Sequence, residues 1–450
     1  MRAAVAAGHP ATAGAGAEIL ADGGTAADAT VAMCLASCVV ETVMTGLLGG
    51  GHAIWWDGRR AMLLDCFVSV PRTVGEMVEH PVTFGTEVVE YRIGPASCGV
   101  PGVPGGLEAL HEAGGRLPWR RLVEPALHLA RAGASLPPRH AACLLMLEEL
   151  MTLERGADLY APQGTLLGPG SLVHQPGLVE ALDCLADEGP RSPYRGSLAE
   201  AVLSIDGVTM TWDDLGGYTA EWRSPARAEW HGLTVLTRAG LSGVPETLSR
   251  LPRLAGRSKT DRVLALLTAL AGGRGPESHT TNHVAVDDAG RACVLTTSLG
   301  VGAGVWAPGF DLHLNSMLGE TDLAVGGLVP GERMESMMAP TVVLDAGELE
   351  LAIGAAGGTR LRTALVAVLA GILDEGLEPQ AAVDRPRFHQ AGRTLHAEPG
   401  VDEAALGQLA EQGLDVVRWD DLHHFFGGVS CVGREGSAGD PRRDGHAVVQ

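Results

Sequence analysis

The segment from residue 280 to residue 298, TTNHVAVDDAGRACVLTTS, restricts the fold of this 450-residue chain more than any other. Runs of β-branched and apolar residues flank a short turn sequence, which predicts a β-hairpin. A three-residue loop over residues 288–290, with its glycine in the left-handed conformation, fixes how the two strands pair. This register sets Thr280 opposite Ser298.

Thr280 and Ser298 therefore form a candidate catalytic pair. A threonine at the start of a strand, with a second hydroxyl beside it, is the arrangement that an N-terminal-nucleophile hydrolase needs. The hydroxyl of Thr280 is activated only after the chain is cut before it, because the freed α-amine, with an ordinary pKa of about 7.7–8.0, then acts as the base. Paired threonines are also common in strands for steric reasons, so this segment alone leaves a purely structural role open.

The run AIGAAGGTRLRTAL contains a second candidate, Gly357-Gly358, between a predicted strand and a predicted helix. Two exposed backbone N–H groups at such a turn can form an oxyanion hole, aided by the helix N-terminus. A tight strand-to-helix turn is the alternative. Either role favours glycine, because a bare backbone allows close approach.

Composition excludes several function classes. The net charge of −21 argues against a nucleic acid or an anionic membrane surface as partner. No apolar stretch is long enough to span a membrane, and His9-Pro10 interrupts any signal-peptide core, so a cytoplasmic location is predicted. The eight cysteines lack zinc-site spacing, and neither a nucleophile elbow nor a zinc-binding helix motif occurs, so no metal or cofactor is expected.

The order of predicted elements indicates one α/β sandwich assembled from distant segments. Residues 13–40 carry two helical patterns, and a long helix is predicted at about 359–375. A second hairpin is predicted at 341–353. The middle, roughly 134–275, is predicted to be mostly helix and loop, with one strand within 226–240.

Taken together, the motifs resemble the γ-glutamyltranspeptidases. The segments GGTAADATVA, GVPGVPGGLEALHEAGGRLPW, the hairpin, SMMAPTVVL, AIGAAGGTRL and AVDRPRFHQ match that family in order over nearly the whole chain. The resemblance implies a four-layer αββα N-terminal-nucleophile hydrolase fold. It also implies self-cleavage between His279 and Thr280, giving a large subunit of residues 1–279 and a small subunit of residues 280–450. These two subunits would form a heterodimer within one structural domain.

The same resemblance implies roles for individual residues. Thr280 would be the nucleophile and Ser298 its hydroxyl partner, while Gly357 and Gly358 would supply the oxyanion hole. Ser336 matches the first serine of the family's Ser-Ser-Met substrate motif.

The positions that would clamp a glutamyl group depart from the family pattern. The arginine that holds the substrate α-carboxylate is matched by Phe67, and the asparagine two residues after the hydroxyl partner by Gly300. The two positions that hold the α-ammonium group are matched by Ser316 and Gly319, and the second serine by Met337. Losing such an arginine–carboxylate contact typically costs about 2–5 kcal/mol, so glutathione is a doubtful substrate.

Three hypotheses follow. The first is an autoprocessing hydrolase that forms an acyl-enzyme on Thr280 with a small-molecule substrate, similar to the actinobacterial enzymes that hydrolyse a C–C bond in making 4-alkyl-proline units. The second is a γ-glutamyl hydrolase or transferase whose clamp is rebuilt from Arg72, Glu320 or Glu335, each of which would otherwise be a surface charge. The third is an inactive relative that acts as a binding protein.

Overall fold

Two antiparallel β-sheets form the centre of the computed structural model, which describes residues 2–84, 87–271 and 280–450. The first sheet has seven strands, in spatial order His446–Val449, Ala4–Ala7, Thr281–Val286, Ala292–Ser298, Gly50–Trp56, Ala61–Cys66 and Glu221–Arg223. The second has six strands, Gly436–Gly439, Gly428–Gly433, Glu348–Ala356, Thr341–Asp345, Leu233–Thr237 and Ala226–Trp230. No helix within the described residues is both long and apolar enough to cross a membrane.

Alternating side chains on the first sheet fill two different cores. Val284 and Val294 point to one face and share a buried cluster with Val342 and Ala352 of the second sheet. Their neighbour Leu295 lies in a separate cluster with the helices of the opposite face. Because successive residues of a strand face opposite sides, both faces of the central hairpin strands contribute apolar side chains to a core.

Helices cover the outer face of each sheet. Those that share a core with the first sheet are Pro10–Ala21, Ala26–Val40, Val103–Gly114, Trp119–Ala132 and Pro176–Glu188. Those that share a core with the second are Val244–Arg250, Lys259–Leu270, Arg360–Leu373, Pro379–Asp384 and Glu403–Glu411. The layers therefore run helix, sheet, sheet, helix, and the predicted αββα fold is confirmed.

Smaller elements surround this sandwich. The shorter α-helices are Pro138–Met146, Glu148–Met151, Arg155–Tyr160, Ser192–Arg195, Ser197–Leu203 and Trp212–Gly216. Short strands pair as Val78–Phe84 with Glu87–Ile93, Ala134–Ser135 with Leu172–Val173, and Trp306–Ala307 with Leu312–His313. A three-stranded sheet contains Phe388–Ala391, Thr394–Ala397 and Asp415–Arg418.

Strands that precede Thr280 and strands that follow it in sequence lie side by side within the first sheet. The strand Thr281–Val286 lies beside Ala4–Ala7, and its hairpin partner Ala292–Ser298 lies beside Gly50–Trp56. A cut before Thr280 would leave two chains held together by this ladder of backbone hydrogen bonds. The division into subunits 1–279 and 280–450 within one structural domain stays a prediction.

The hairpin predicted at 341–353 is confirmed, whereas the prediction of a single strand within 226–240 is wrong. That segment forms a second hairpin, with strands Ala226–Trp230 and Leu233–Thr237. His231 and Gly232 make its turn with φ of +54° and +92°. Both turn residues therefore have positive φ, as a two-residue hairpin turn requires.

A buried ion network ties the C-terminal segment to the small three-stranded sheet. Arg442, with a fully buried side chain, donates to Glu398 through Nε at 2.6 Å and Nη2 at 2.5 Å. Asp440 accepts from Arg442 at 3.2 Å and pairs with Arg387 at 2.6 Å. Removing one partner leaves an uncompensated charge in the interior, which is far more costly than never burying the pair.

We expect Glu398→Ala to lower the free energy of unfolding by about 3–5 kcal/mol, because Arg442 loses its main partner while buried. Glu403→Ala is the matched control, since Glu403 forms a solvent-exposed pair with Arg418 and its loss should cost far less than that of Glu398. Urea denaturation of the two variants measures the difference. Equal losses would show that the buried network contributes no more than a surface pair.

Candidate active site

The hairpin at the centre of the sequence analysis has the predicted register. Its pairs run from Thr281 opposite Thr297 to Val286 opposite Ala292. Gly290 has a φ of +74°, as the three-residue loop requires. Continuing the register by one residue sets Thr280 opposite Ser298. His279, the other residue of the predicted cleavage site, lies outside the described residues.

Thr280 is buried, with 2% of its surface exposed, and its hydroxyl meets the predicted glycine turn. The backbone N–H of Gly357 donates a hydrogen bond to Thr280 Oγ1 at 2.6 Å. Gly357 and Gly358 have φ of +122° and +55°, and they join the strand Glu348–Ala356 to the helix that follows. The positive φ of both residues turns the N–H of Gly357 toward Thr280. Glycine is favoured at these positions because it adopts positive φ without steric cost.

The loop after Ser298 is held by side-chain oxygens. Ser298 Oγ accepts the N–H of Gly300 at 2.9 Å. Ser316 Oγ accepts the N–H groups of Val301 and Gly302 at 3.2 and 3.1 Å. Ser316 and Gly300, both predicted to bind substrate, are therefore parts of one buried loop.

A pocket opens beside Thr280, and its walls are mostly apolar. We call it the methionine pocket; its lining includes Phe67, Met317, Met337, Met338, Leu361 and Leu323. Thr280 and Gly358 lie on its wall, and Ser336 and Glu320 are its other polar members. Three of the predicted substrate residues, Phe67, Ser336 and Met337, thus line one pocket with the candidate nucleophile.

The wall at Phe67 presents an aromatic ring, rather than a cation, to the methionine pocket. The ring of Phe67 stacks on His52, with centroids 5.5 Å apart, and its carbonyl oxygen accepts from Tyr218 at 2.7 Å and Arg333 at 2.8 Å. Complete burial lowers the pKa of His52 to about 3, so its ring is neutral. Among the described residues, those that line the methionine pocket include no cationic side chain, and Arg333 is held by the backbone carbonyl of Phe67.

Gly319, at the matched position of an ammonium-binding carboxylate, has no room for any side chain. A methyl group added there would come within 1.7 Å of the carbonyl oxygen of Arg92. That oxygen belongs to the backbone of the neighbouring strand and cannot rotate away. The position is therefore closed to an acidic residue in this fold.

The three residues considered for a rebuilt clamp differ sharply in burial. The side chains of Arg72 and Glu335 are 66% and 51% exposed and pair with Asp213 and Arg238. Glu320 is 1% exposed, so the alternative of a surface charge is wrong for this residue. Burial, with a smaller effect from the negative charge of Asp322, raises the pKa of Glu320 to about 8.

A second cavity lies beside Thr280 and contains residues that the sequence analysis missed. Glu41, His140 and Arg443 line it. Glu41 accepts hydrogen bonds from Thr281 at 2.5 Å and Thr12 at 2.7 Å. In the sequence, the signal for Glu41 is its position as a charged residue directly after the apolar run that forms the buried helix Ala26–Val40. Within the described residues, no cluster of histidine, cysteine and acidic side chains is arranged to hold a metal ion.

Glu41 should make stability fall as pH rises. Burial raises its pKa from 4.5 to about 7, so between these values the folded protein binds a proton that the unfolded chain has released. Glu41 should therefore contribute a decrease of about 3 kcal/mol to the free energy of unfolding across this window, in addition to the contributions of other buried groups such as His52 and Glu320. Glu41→Gln should remove that decrease, while Glu332→Gln, on the surface, should keep it. Urea denaturation from pH 4.5 to 8 tests this, and an unchanged slope in Glu41→Gln would contradict it.

The comparisons with known proteins agree with the fold and with the motifs. A family model described as Gamma-glutamyltranspeptidase matches residues 12–255 and 245–450. The Acylase ACY 1 proenzyme of Pseudomonas sp. (strain SE83) is 27% identical over 91% of this chain and 86% of its own length. The crystal structure of cephalosporin acylase from Bacillus halodurans superposes with a TM-score of 0.86 at 22% identity, covering 100% and 96% of the two chains. The structure of LmbA2991HD superposes with a TM-score of 0.81 at 20% identity, covering 100% of this chain and 98% of that chain. The chain belongs to the gamma-glutamyltranspeptidase family.

Proposed function

We propose that this protein is an autoprocessing hydrolase in which Thr280 transfers a non-glutamyl acyl group to water. The observation that carries the proposal is the contact between the Gly357 N–H and Thr280 Oγ1, at 2.6 Å, on the wall of the methionine pocket. A hydroxyl and a backbone donor lie together there, in a buried site whose described lining residues include no cationic side chain. Family membership supports the hydrolase chemistry.

The proposed reaction begins with cleavage before Thr280, which frees its α-amine. The amine takes the hydroxyl proton as Oγ1 attacks the substrate carbonyl carbon, forming a C–O bond. The oxyanion that develops is stabilised by the N–H groups of Gly357 and Gly358. When the intermediate collapses, the bond to the leaving group breaks, and its electron pair departs with that group and takes up the proton. Water then cleaves the ester and releases the acid.

The composition of the methionine pocket supports a non-glutamyl acyl group. A bound glutamyl zwitterion needs both charges paired, whereas Phe67 and Met337 are apolar and Gly319 is closed to a side chain. The chemistry at Thr280 accepts a stabilised carbon leaving group as well as an amine. Because the glutamyl clamp is lost and the chain resembles the actinobacterial enzymes that hydrolyse a C–C bond in making 4-alkyl-proline units, we favour C–C bond hydrolysis over cleavage of an amide.

Acylation of Thr280 tests the proposal directly. The processed protein is incubated with two p-nitroanilides, one carrying the γ-glutamyl group and one carrying the apolar 4-methylpentanoyl group. We expect p-nitroaniline release and a mass increase on the small chain with the apolar substrate, at a rate at least about tenfold above that with the glutamyl substrate. Thr280→Ala is the control and should show neither.

The two other hypotheses give different results in this experiment. A γ-glutamyl hydrolase with a rebuilt clamp would prefer the glutamyl substrate and release glutamate from glutathione. An inactive binding protein would remain one uncut chain and take up neither acyl group. A second assay with a 1,3-diketone substrate, in which the leaving group is an enolate carbon, separates C–C from C–N bond cleavage.

A further inference from the structure

Glu320 lies in the methionine pocket without a hydrogen-bond partner. It follows the 3-10 turn Met317–Gly319 and is 1% exposed. Within the described parts of the chain, neither Oε1 nor Oε2 forms a hydrogen bond. An ionised carboxylate in this setting would be uncompensated, which is strongly unfavourable.

The neighbouring loop leaves a defined space that the carboxyl group of Glu320 occupies. A methyl group added at Gly300 would come within 2.6 Å of Glu320 Oε1 and 2.7 Å of Ser316 Oγ. The bare backbone of Gly300, with φ of +73°, therefore leaves the space that the glutamate side chain fills. Any side chain at position 300 would displace the carboxyl group.

Other buried acids of this protein differ from Glu320 in their contacts. Glu41 accepts two hydroxyl hydrogen bonds, and Glu398 accepts two from Arg442. Donors of this kind favour the charged form of a carboxyl group. Glu320 accepts no such hydrogen bond within the described residues. In the resting pocket its carboxyl group is therefore neutral, and a neutral carboxyl group can donate a hydrogen bond.

The charged groups around Glu320 do not compensate it. Asp322 is the charged neighbour whose field acts on it, and this negative charge also favours the neutral form. Arg92, on the strand packed against the turn, has a half-exposed side chain 4.0 Å from Glu79. The rest of the pocket is apolar apart from the hydroxyl groups of Thr280 and Ser336.

We propose that Glu320 acts as a protonated donor that binds an oxygen on the substrate's acyl group, so that the enzyme selects acyl groups with a ketone or hydroxyl oxygen over those with an ammonium group. This inference rests on the proposed function, because it assumes that the acyl group enters the methionine pocket from Thr280. It makes Glu320 a substrate-binding residue that determines specificity.

Three p-nitroanilides with the same arrangement of non-hydrogen atoms test the selection. Their acyl groups are 4-oxopentanoyl, 4-aminopentanoyl and 4-methylpentanoyl, which differ only in the substituent at carbon four. We expect kcat/KM for the ketone to exceed that for the ammonium compound by about tenfold or more, since a buried donor that meets an ammonium group is left without an acceptor. Preference for the ammonium compound, or no preference, would overturn the inference.

The pH profile of the ketone reaction gives an independent readout. Because the pKa of Glu320 is raised to about 8, the donor form is present below this pH and is lost above it. The α-amine of Thr280 must in turn be deprotonated, so kcat/KM should follow a bell-shaped curve. Glu320→Gln should have a severalfold lower kcat/KM for the ketone but keep the order of preference among the three substrates. Its pH profile should lack the alkaline limb. Glu320→Met should lose the preference for the ketone, and Glu332→Gln, an exposed control, should keep both features.

Infrared difference spectra decide the protonation state without any substrate. Subtracting the spectrum of Glu320→Gln from that of the parent protein at pH 7 should leave the carbonyl band of a protonated carboxyl group. A carboxylate band instead would overturn the inference while leaving the proposed hydrolase intact. If a two-chain protein forms but neither the three anilides nor the 1,3-diketone acylates Thr280, the proposed function fails as well.

Discussion

Replacing Thr280 with alanine should leave the protein as one uncut chain with no acyl-transfer activity. The variant lacks the hydroxyl that attacks in both the self-cleavage and the substrate reaction, so each should fall by about 10⁴-fold or more. Its fold should persist, because the side chain contributes one described hydrogen bond, from the Gly357 N–H, to a well-packed sandwich. Electrophoresis and p-nitroaniline release measure the two losses.

Thr280→Ser is the matched control for this variant. Serine keeps the hydroxyl and, once freed, the α-amine, so we expect slow processing and measurable turnover. Circular dichroism should be the same for both variants. If Thr280→Ala were still cut before residue 280, or still formed an acyl-enzyme, another residue would be the nucleophile.

Gly357→Ala should give the second-largest loss. An added Cβ at Gly357 would come within 2.7 Å of Gly427 Cα, a backbone atom that cannot rotate away, and the φ of +122° is unfavourable for alanine. The turn must then shift and withdraw its N–H from Thr280. Loss of one oxyanion donor typically lowers kcat by about 10²–10³-fold, and we expect a decrease of this size for the best anilide substrate.

Gly376→Ala separates this effect from the general cost of placing alanine at a glycine position. Gly376 also has a positive φ, of +70°, but open space surrounds its Cα. This variant should lose a little stability and no activity. Similar kcat values for Gly357→Ala and the parent protein would show that the N–H of Gly357 does not stabilise the oxyanion.

The central hairpin could be predicted from sequence because its register depends on local features. The left-handed residue of its loop is Gly290, and the strands on both sides contain residues suited to burial. The sequence does not predict the hairpin within 226–240, because His231 is an uncommon residue for a turn position with positive φ. Turn chemistry therefore decided which prediction succeeded.

The substrate pocket was harder to predict because its properties depend on contacts between distant segments. The sequence alone cannot show that Gly319 abuts the carbonyl of Arg92, more than two hundred residues earlier. Nor can it show that Gly300 leaves space for Glu320, which makes this glutamate a buried acid instead of a surface charge. Motifs predicted which residues surround Thr280, and packing determined which of them can hold a charge.

Intact-mass measurement of the purified protein, with N-terminal sequencing of the smaller chain, tests the central claim most directly. We expect two chains that remain associated, with Thr280 as the first residue of the smaller chain. A single chain that stays uncut on prolonged incubation, or a smaller chain that begins at another residue, would contradict it.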